Sequence, residues 1–238
     1  MKFVTVADYA DLTMAASDVV TRAVELQPTL NIVFPTGHTP IGLYDHLRAE
    51  HAVGRFSLND ANVFMLDEYV DLPSYPDGSY QSFLRHHFGE VVFNNFTMFH
   101  PLTVGDELTS CRRYDGELTS VGGIDLAIVG VGRNGHVGFN EPKAHPDERT
   151  HAIDLTQSTL EANFSGQPDS VRPTRAITMG LRDLLEARSV LMLVAGPFKA
   201  PVLAALRDGV VDPFIPATNF LEHQNFTVIA DEEALAGA

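Results

Sequence analysis

The sequence has one cysteine, no tryptophan and no apolar run of about eighteen residues among its 238 residues. Because Cys111 is alone, the chain can form neither an internal disulfide nor a cysteine-rich metal site, and nothing indicates an oxidising compartment. There is no candidate transmembrane helix, and residues 1–18 lack the apolar stretch of a signal peptide. These absences predict a soluble, cytoplasmic protein.

Basic residues are also scarce: 16 Lys and Arg stand against 31 Asp and Glu, which gives a net charge of −15. No run of Lys and Arg concentrates the positive charge, so nucleic acids and anionic membranes would both be repelled. The rest of the composition, 45% hydrophobic and 20% charged, is ordinary for a globular chain without repeats or low-complexity blocks. We therefore expect one domain over residues 1–238, with a small molecule as its partner.

Helix and strand patterns alternate along the chain. Residues 11–26 predict a helix whose apolar face carries Leu12, Ala15, Ala16, Val19 and Ala23. Short apolar runs predict strands at residues 30–34, 62–66, 124–129, 189–194 and 226–230, with room between them for crossover helices. The alternation predicts a single-domain α/β fold, a doubly wound and mostly parallel sheet with helices on both faces, as in Rossmann-like proteins.

Chemically capable groups follow four of these predicted strands. Open parallel sheets bind ligands beyond the carboxyl ends of their strands, so the segments after the strands are the candidates for a site. They are residues 35–40 ahead of a predicted helix at 41–50, Asp67 with Glu68, the loop 130–142, and residues 195–200. We expect these segments to meet at one edge of the sheet.

Residues 36–39, Thr-Gly-His-Thr, form a glycine-containing turn before a predicted helix. Free backbone N–H groups and the positive end of a helix dipole suit a phosphate or a carboxylate there. A plain turn capped by Thr39 is the alternative, and neither a P-loop nor a GxGxxG sequence supports nucleotide binding. Lys199, near another predicted helix start, is either an anion contact or a surface lysine.

Asp67 follows its predicted strand without an intervening turn residue. Its carboxylate should emerge at the strand tip, partly desolvated and with a raised pKa that suits a base, while Glu68 points elsewhere. A solvated acid or a helix cap is the alternative.

The loop at residues 130–142, GVGRNGHVGFNEP, surrounds one histidine and one glutamate with glycines. His136 can donate and accept a proton near neutral pH, and Glu141 can hold its ring or share the proton. A metal site is the competing interpretation, although no short His/His or Cys pair supports it, and a serine hydrolase lacks its GxSxG sequence. Four glycines are expected to permit positive φ angles and to leave room around the histidine: Gly130, Gly132, Gly135 and Gly138.

Five segments in sequential order, over nearly the whole chain, resemble the glucosamine-6-phosphate deaminase (isomerase) family. They are FPTGHTPIGLYDHL, LDEYVDLPSYPDGSYQSF, GIDLAIVGVGRNGHVGFNEP, RAITMGLRDLL and VAGPFKAPVLAAL. The sequences MLDEYV and GHVGFNEP are the most specific. The 6-phosphogluconolactonases share the fold but typically carry a GHTASLFP-like sequence where this chain has GHVGFNEP, which favours a deaminase.

The resemblance implies conversion of glucosamine 6-phosphate to fructose 6-phosphate and ammonia, in amino sugar catabolism, without a metal or an organic cofactor. It implies that His136, oriented by Glu141, moves the proton that opens the pyranose ring. Asp67 would then take the proton from carbon 2 of the open aldehyde and return it to carbon 1. The positions that hold the phosphate in the family correspond to Thr36, Gly37, His38, Thr39 and Lys199.

The chain departs from the family pattern at three positions. Asn134 stands where some members have an aspartate of the ring-opening triad, and an asparagine can still orient the imidazole by hydrogen bonding. His38 replaces a common glycine, so we expect phosphate affinity to depend on pH. Ser165 stands where the family has a substrate-binding arginine, with Arg172 and Arg175 as candidate replacements. This leaves open another amino sugar phosphate, such as galactosamine 6-phosphate.

Two further expectations concern the surroundings of the site. The polar segment 143–173 is either a mobile lid or a plain surface excursion. The chain ends soon after its last predicted strand, and His151 and Ile153 replace basic effector-site residues of the family's allosteric hexamers, so we expect a monomer or small homo-oligomer without that allostery. The alternatives to a deaminase are a sugar-phosphate lactonase and a sugar-phosphate-binding regulator domain, the latter opposed by the net charge.

Overall fold

The computed structural model describes residues 1–72, 77–94, 98–100, 106–164, 166 and 168–236. In chain order the strands are β1 (Lys2–Val6), β2 (Asn31–Phe34), β3 (Asn62–Met65), β4 (Asp67–Tyr69), β5 (Met98–His100), β6 (Leu126–Gly130), β7 (His151–Asp154), β8 (Arg175–Thr178), β9 (Ser189–Val194) and β10 (Phe226–Asp231). The α-helices are α1 (Tyr9–Leu26), α2 (Ile41–Ala52), α3 (Tyr80–Phe88), α4 (Glu90–Asn94), α5 (Glu107–Ser120), α6 (Gln157–Phe164), α7 (Leu181–Leu185), α8 (Ala200–Asp208) and α9 (Glu232–Leu235). Short 3-10 helices occur at Asp169–Val171, Pro197–Lys199 and Pro216–Glu222.

Among the described residues, seven strands form one sheet in the order β1-β10-β9-β6-β2-β3-β5. Every neighbouring pair in it is parallel. The five strands predicted from short apolar runs are β2, β3, β6, β9 and β10, and the helix predicted at 41–50 is α2. The predicted parallel α/β sheet is therefore confirmed.

Helices cover both faces of this sheet, as predicted. Successive residues of β2 illustrate how: Ile32 and Phe34 belong to the core cluster of α1, α2 and α3, while Val33 belongs to the cluster of α5 and α8 on the opposite face. A strand buried on both sides has no polar face, and this explains why its sequence is a continuous apolar run instead of an alternating one.

The sequence analysis did not predict the second sheet. Strands β4, β8 and β7 form a three-stranded antiparallel sheet, in which Asp67 is opposite Thr178. These strands have three or four residues each and little apolar content, so their periodicity is too short to recognise. The small sheet leads the chain away from β3 at the edge where the predicted site lies.

The apolar face of α1 differs from the predicted one. The buried apolar positions follow a spacing of four residues, at Leu12, Ala16, Val20 and Val24, whereas Val19 is exposed. Ala15 and Ala23 are partly buried at the border of this face. Apolar residues spaced at i and i+4 can cover a sheet just as effectively as the predicted i, i+3, i+4 spacing. Only the tertiary packing selects between the two.

None of the helices in the described part of the chain is long and apolar enough to cross a membrane.

Candidate active site

The predicted site segments meet at the carboxyl edge of the main sheet. Strand β2 lies between β3 and β6, and β6 pairs with β9, so the segments that follow these four strands are neighbours. The 36–39 turn follows β2, Asp67 follows β3, the 130–142 loop follows β6, and residues 195–199 follow β9. The sheet topology therefore brings together side chains that are up to 163 positions apart in sequence, from Thr36 to Lys199.

Asn134 joins His136 to Glu141. The Asn134 Oδ1 is 2.7 Å from His136 Nδ1 and also accepts the His136 backbone N–H at 3.2 Å. The Asn134 Nδ2 donates to Glu141 Oε2 at 2.8 Å, whereas Nδ1 of the imidazole is 3.7 Å from that same oxygen. The carboxylate therefore orients the imidazole through the amide and not by direct contact.

This arrangement sets the tautomer of His136. Glu141 can only accept in its ionised form, so the amide must direct its NH₂ group to Glu141 and its oxygen to the imidazole. Nδ1 then carries the proton, and the lone pair of Nε2 is available to a substrate. Burial lowers the pKa of His136, Glu141 opposes this effect, and Lys199 adds to it. A neutral imidazole with a free Nε2 is suited to take up and return a proton.

The glycines of the loop have different roles. Gly135 and Gly138 have positive φ angles of 83° and 57°, as predicted, but Gly130 and Gly132 do not. At Gly132 a Cβ atom would overlap the imidazole ring of His136, so the missing side chain makes room for the ring. The prediction of positive φ at all four glycines was wrong for Gly130 and Gly132, because a close contact can require glycine without an unusual φ.

Asp67 lies at the point where the chain leaves the main sheet and enters the small one. Its side chain is buried, with the residue 6% exposed, and its Oδ1 has no hydrogen-bond partner among the described residues. Burial, and after it the charge of Glu68, raise the pKa of Asp67 well above the ordinary value of an aspartate. The raised pKa agrees with the expectation for a carboxylate base at a strand tip, although the burial is deeper than predicted.

A close contact places Asp67 beside the glycine loop. A Cβ atom on Gly138 would lie 3.5 Å from Asp67 Oδ2 and 2.7 Å from Thr178 Oγ1. Thr178 is fully buried and its hydroxyl accepts the backbone N–H of Phe139 at 3.2 Å. The absence of a side chain at Gly138 thus lets the loop of His136 approach Thr178, next to the Asp67 carboxylate.

The 36–39 turn presents unused backbone donors. Gly37 has a φ of 96°, and within the described chain the N–H groups of Gly37, His38 and Thr39 have no hydrogen-bond acceptor. The residue that precedes α2 is Pro40, which makes no side-chain cap, so Thr39 does not cap the helix as the alternative interpretation required. Instead the Tyr9 hydroxyl accepts the Gly42 N–H at 2.9 Å. Unpaired N–H groups at the start of a helix form an anion site.

Two tyrosines connect this turn to Asp67. Thr36 shares a side-chain hydrogen bond with Tyr80, whose hydroxyl is 3.0 Å from that of Tyr69. Burial, followed by Tyr69 and Asp67, raises the pKa of Tyr80, so this hydroxyl is within electrostatic range of the carboxylate. Tyr44 is also in range, and its hydroxyl donates to the Pro35 carbonyl just before the turn.

Lys199 is tied to the glycine loop. Its Nζ donates to the Val131 carbonyl at 2.6 Å, and its charge is close enough to lower the pKa of His136. Burial, and then Arg133, lower the pKa of Lys199 itself. It is therefore a partly buried cation on the site side of the sheet, and not the plain surface lysine of the alternative interpretation.

His38 lies on the α3 side of the turn. Its residue is exposed, and it is one of several groups that lower the pKa of His87, after burial and His86. Among the described residues, no hydrogen bond joins its imidazole to the other predicted site residues. The structure brings the backbone of His38 to the site, but its side chain makes no hydrogen bond to Asn134, His136 or Glu141 among the described residues.

The sequence analysis did not identify three residues that support the site. Glu68 was expected only to point elsewhere; it is buried and accepts backbone N–H groups of Tyr69, Tyr80 and Gln81 at 2.8 to 2.9 Å. Asp231, buried at the end of β10, accepts the Gly196 N–H at 3.1 Å and so holds the segment of Lys199. Thr159 on α6 donates to Glu141 Oε1 at 2.8 Å. An acid next to Asp67 was the only sequence signal for any of them.

Ser165, which stands where the family has a substrate-binding arginine, lies outside the described residues. Of the two candidate replacements, Arg175 forms ion pairs with Glu107 and Asp154. In the described ranges, no group of three or more His, Cys, Asp or Glu side chains is arranged to hold a metal ion.

Comparison with known proteins gives the family. A family model described as glucosamine-6-phosphate isomerases/6-phosphogluconolactonase matches residues 7–229. The chain belongs to this family. The predicted family membership and fold class are thereby confirmed.

Similar members include two glucosamine-6-phosphate deaminases. That of Geobacillus sp. (strain WCH70) is 35% identical over 99% of this chain and 95% of its own length. The deaminase of Oceanobacillus iheyensis is 36% identical over 99% of this chain and 95% of its own length. The structure of a monomeric glucosamine-6-phosphate deaminase is 31% identical and superposes with a TM-score of 0.90, covering 100% of both chains. The 6-phosphogluconolactonase of Trypanosoma brucei, at 18% identity, TM-score 0.78 and coverages of 99% and 97%, shares the fold.

Proposed function

We propose that this chain isomerises and deaminates glucosamine 6-phosphate, producing fructose 6-phosphate and ammonia in amino sugar catabolism. One observation carries the proposal: a buried carboxylate with a raised pKa, Asp67, lies beside the loop on which Asn134 orients a neutral His136. An aldose–ketose isomerisation needs these two proton-transfer groups, one for ring opening and one for the carbon acid. The deaminases that are about 35% identical over 99% of the chain support the same activity.

Ring opening is assigned to His136. Its free Nε2 takes the proton of the anomeric hydroxyl and returns a proton to the ring oxygen as the carbon–oxygen bond breaks. Asn134 and Glu141 hold the imidazole in the Nδ1–H tautomer and stabilise the positive charge that develops on it.

Isomerisation is assigned to Asp67. The carboxylate removes the proton from carbon 2 of the open aldehyde and delivers it to carbon 1 of the resulting enolamine. The product is an imine at carbon 2, which water attacks; ammonia then leaves and the ketone of fructose 6-phosphate remains. None of these steps calls for a metal ion or an organic cofactor.

The phosphate is assigned to the 36–39 turn and Lys199. The free N–H groups of Gly37, His38 and Thr39 and the Thr36 hydroxyl supply donors, and Lys199 supplies a charge. A local site of this kind explains how a chain of net charge −15 binds a dianion. The exposed His38 imidazole adds a further side-chain donor at this turn.

The decisive experiment offers the protein glucosamine 6-phosphate, galactosamine 6-phosphate and 6-phosphogluconolactone, and measures ammonia and acid release separately. Ammonia and fructose 6-phosphate from the first substrate are expected. Release of ammonia only from galactosamine 6-phosphate would identify that sugar phosphate as the substrate. Release of acid from the lactone without ammonia would show a lactonase and contradict the deaminase. Binding without any turnover would support a sugar-phosphate-binding regulator domain.

The role of Asp67 is tested with Asp67→Asn. This variant should no longer exchange the carbon-2 proton of the substrate with solvent, followed by proton NMR in heavy water. A variant that exchanges the proton as fast as the wild type would exclude Asp67 as the base.

The proposal includes a monomeric or small homo-oligomeric enzyme without the allosteric effector site. The structure that superposes with a TM-score of 0.90 is that of a monomeric deaminase, which supports this state. Light scattering coupled to gel filtration should give about 26 kDa for a monomer. A hexamer of that chain would contradict the proposal.

The 143–173 segment is proposed as a lid over part of its length. His151–Asp154 within it is strand β7 of the small sheet, so the movement is assigned to the described residues 155–164 and 168–173. Thr159 on α6 already contacts Glu141, which supports coupling between these residues and the His136 site. Their hydrogen exchange should slow when glucosamine 6-phosphate is bound; unchanged exchange would contradict the lid.

A further inference from the structure

A turn distant in sequence from the glycine loop lies against it. Residues 212–218, called here the 212–218 turn, follow α8 and include the first residues of the 3-10 helix Pro216–Glu222. Thr218 organises this turn from inside: it is fully buried, and its hydroxyl accepts the Asp212 N–H at 2.8 Å and donates to the Ile215 carbonyl at 2.7 Å. One side chain therefore sets the distance between the first and the middle residue of the turn.

The 212–218 turn contacts the glycine loop, residues 130–142, at Gly135 and the chain just after it at Lys143. The Ala217 N–H donates to the Gly135 carbonyl at 2.9 Å, and the Lys143 N–H donates to the Pro213 carbonyl at 2.6 Å. Ile215 also packs so closely on Gly135 that a Cβ atom there would lie 2.5 Å from the Ile215 side chain. Gly135 and Lys143 lie on either side of the stretch that carries His136 and Glu141.

The backbone at both contact points has a conformation that needs support. Gly135 has a φ of 83°, and Lys143 is the only described residue other than glycine with a positive φ, 74°. A lysine in this region is strained, and such strain persists only where the surroundings over-determine the conformation. Its ammonium group lies 5.0 Å from the ring centroid of Phe214, so the 212–218 turn holds Lys143 by its side chain as well.

We propose that Thr218 is a positioning residue for the ring-opening cluster. Among the described residues its hydroxyl bonds only to Asp212 and Ile215, so Thr218 acts on Asn134, His136 and Glu141 through Gly135 and Lys143. Because the Asn134 amide makes bonds of 2.7 and 2.8 Å to its two partners, a shift of a few tenths of an ångström at Gly135 weakens both. The expected effect on turnover rests on the proposed function, whereas the positioning of His136 does not.

The test compares Thr218→Val with Thr218→Ser. Valine keeps the shape and removes both hydroxyl hydrogen bonds, whereas serine keeps them. With glucosamine 6-phosphate, Thr218→Val should lower kcat by about 10-fold to 100-fold at nearly unchanged KM, the cost of a misplaced catalytic group. Thr218→Ser should retain most of the wild-type kcat. Val210→Ala, on an exposed side chain just before the turn, is the matched control and should leave kcat unchanged.

A second measurement is independent of turnover. The ¹⁵N resonances of His136 should report the Nδ1–H tautomer in the wild type and Thr218→Ser, and a mixture of tautomers in Thr218→Val. If the wild type releases no ammonia, the proposed function fails, but the tautomer still tests the positioning. Wild-type kcat and a wild-type His136 spectrum in Thr218→Val would overturn the inference.

A further variant keeps the test valid if Thr218→Val does not fold. Ile215 is only partly buried, so Ile215→Ala should fold, and it removes the packing on Gly135. It should lower kcat and mix the His136 tautomers in the same way. A lower kcat together with an unaltered His136 spectrum would again overturn the inference.

Discussion

At the residue scale, Asp67 combines a functional advantage with a structural cost. Its carboxylate is buried and Oδ1 has no partner among the described residues, so the ionised form is disfavoured. The same desolvation makes the carboxylate a stronger base once it is ionised. We therefore expect the active site to be a source of instability that increases with pH.

Replacement of Asp67 by asparagine should stabilise the fold at neutral and alkaline pH. Below the unfolded-state pKa of about 3.9, Asp67 is protonated in both states and no charge is buried. As pH rises through the raised native pKa of Asp67, the native state must carry the buried charge, and the free energy of unfolding falls. Asp67→Asn should thus gain about 1–3 kcal/mol at pH 8 and progressively less towards pH 4. Urea unfolding across this range measures it; a gain that is independent of pH would contradict the argument.

Asn134 is the residue whose role the sequence left most open. The structure makes it the link between His136 and Glu141, with one amide atom for each. An asparagine can serve both partners because it presents a donor and an acceptor, whereas an aspartate would place a second negative charge beside Glu141.

Asn134→Asp should therefore raise the pKa of His136. A carboxylate 2.7 Å from Nδ1 stabilises the imidazolium, against the burial that now lowers this pKa. An NMR titration of the His136 ring protons should show an increase of about one unit or more, since opposite charges at this distance shift a pKa by about 1–3 units. Asn134→Ala removes the amide without adding a charge and serves as the control. An equal rise in both variants would contradict the electrostatic explanation.

At the scale of elements, the start of α2 depends on α1. Gly42 allows the two helices to approach, since a Cβ atom would lie 3.2 Å from the Tyr9 ring. The Tyr9 hydroxyl accepts the Gly42 N–H and is 3.0 Å from the Thr39 carbonyl. The hydroxyl thus satisfies the first turn of α2 from outside and orients the peptide groups of the 36–39 turn.

Tyr9→Phe should weaken phosphate binding without affecting the chemistry. The loss of about 0.5–1.5 kcal/mol of hydrogen bonding should raise KM for the sugar phosphate by about two- to tenfold at unchanged kcat. Because Tyr9 is 39% exposed, the variant should fold normally. Met14→Leu, on an exposed position of the same helix, is the control in steady-state kinetics. A reduced kcat with unchanged KM would show that Tyr9 acts on another step.

At the scale of the whole molecule, aromatic side chains join the sheet to the helices behind the 36–39 turn. The ring of Phe88 on α3 lies 5.0 Å from that of Phe34 on β2 and 4.5 Å from that of Tyr44 on α2. All three residues are fully buried. This cluster joins α3 to β2 and α2, although Phe88 lies 44 positions after Tyr44, so its loss affects the fold and not one element.

Phe88→Ala should lower the free energy of unfolding by about 3–5 kcal/mol, the usual cost of removing a buried ring and leaving a cavity. Urea unfolding followed by circular dichroism measures the change. Val53→Ala, at a residue 58% exposed, should stay within about 0.5 kcal/mol of the wild type. A loss below about 1 kcal/mol for Phe88→Ala would mean that the cavity collapses.

By itself, the sequence determined the parallel α/β class, five central strands, and the segments that carry the site. These follow from local properties: β2 is a continuous apolar run because it is covered on both faces, and ligand sites in such sheets follow the strand ends. Edge strands β1 and β5 and the small antiparallel sheet were not predicted, because none of these strands has the continuous apolar run by which the central strands were recognised.

Only the tertiary structure decided how the site residues act on one another. Asp67 is buried because Thr178 and Gly138 lie against it, and the Asn134 amide bridges two side chains that a linear motif cannot orient. The same holds for Thr218, which lies 82 positions after His136: its neighbour Ala217 is joined to Gly135 by one hydrogen bond across the fold. Such contacts form between residues distant in sequence, so no local pattern encodes them and they exist only once the sheet has brought its strand ends together.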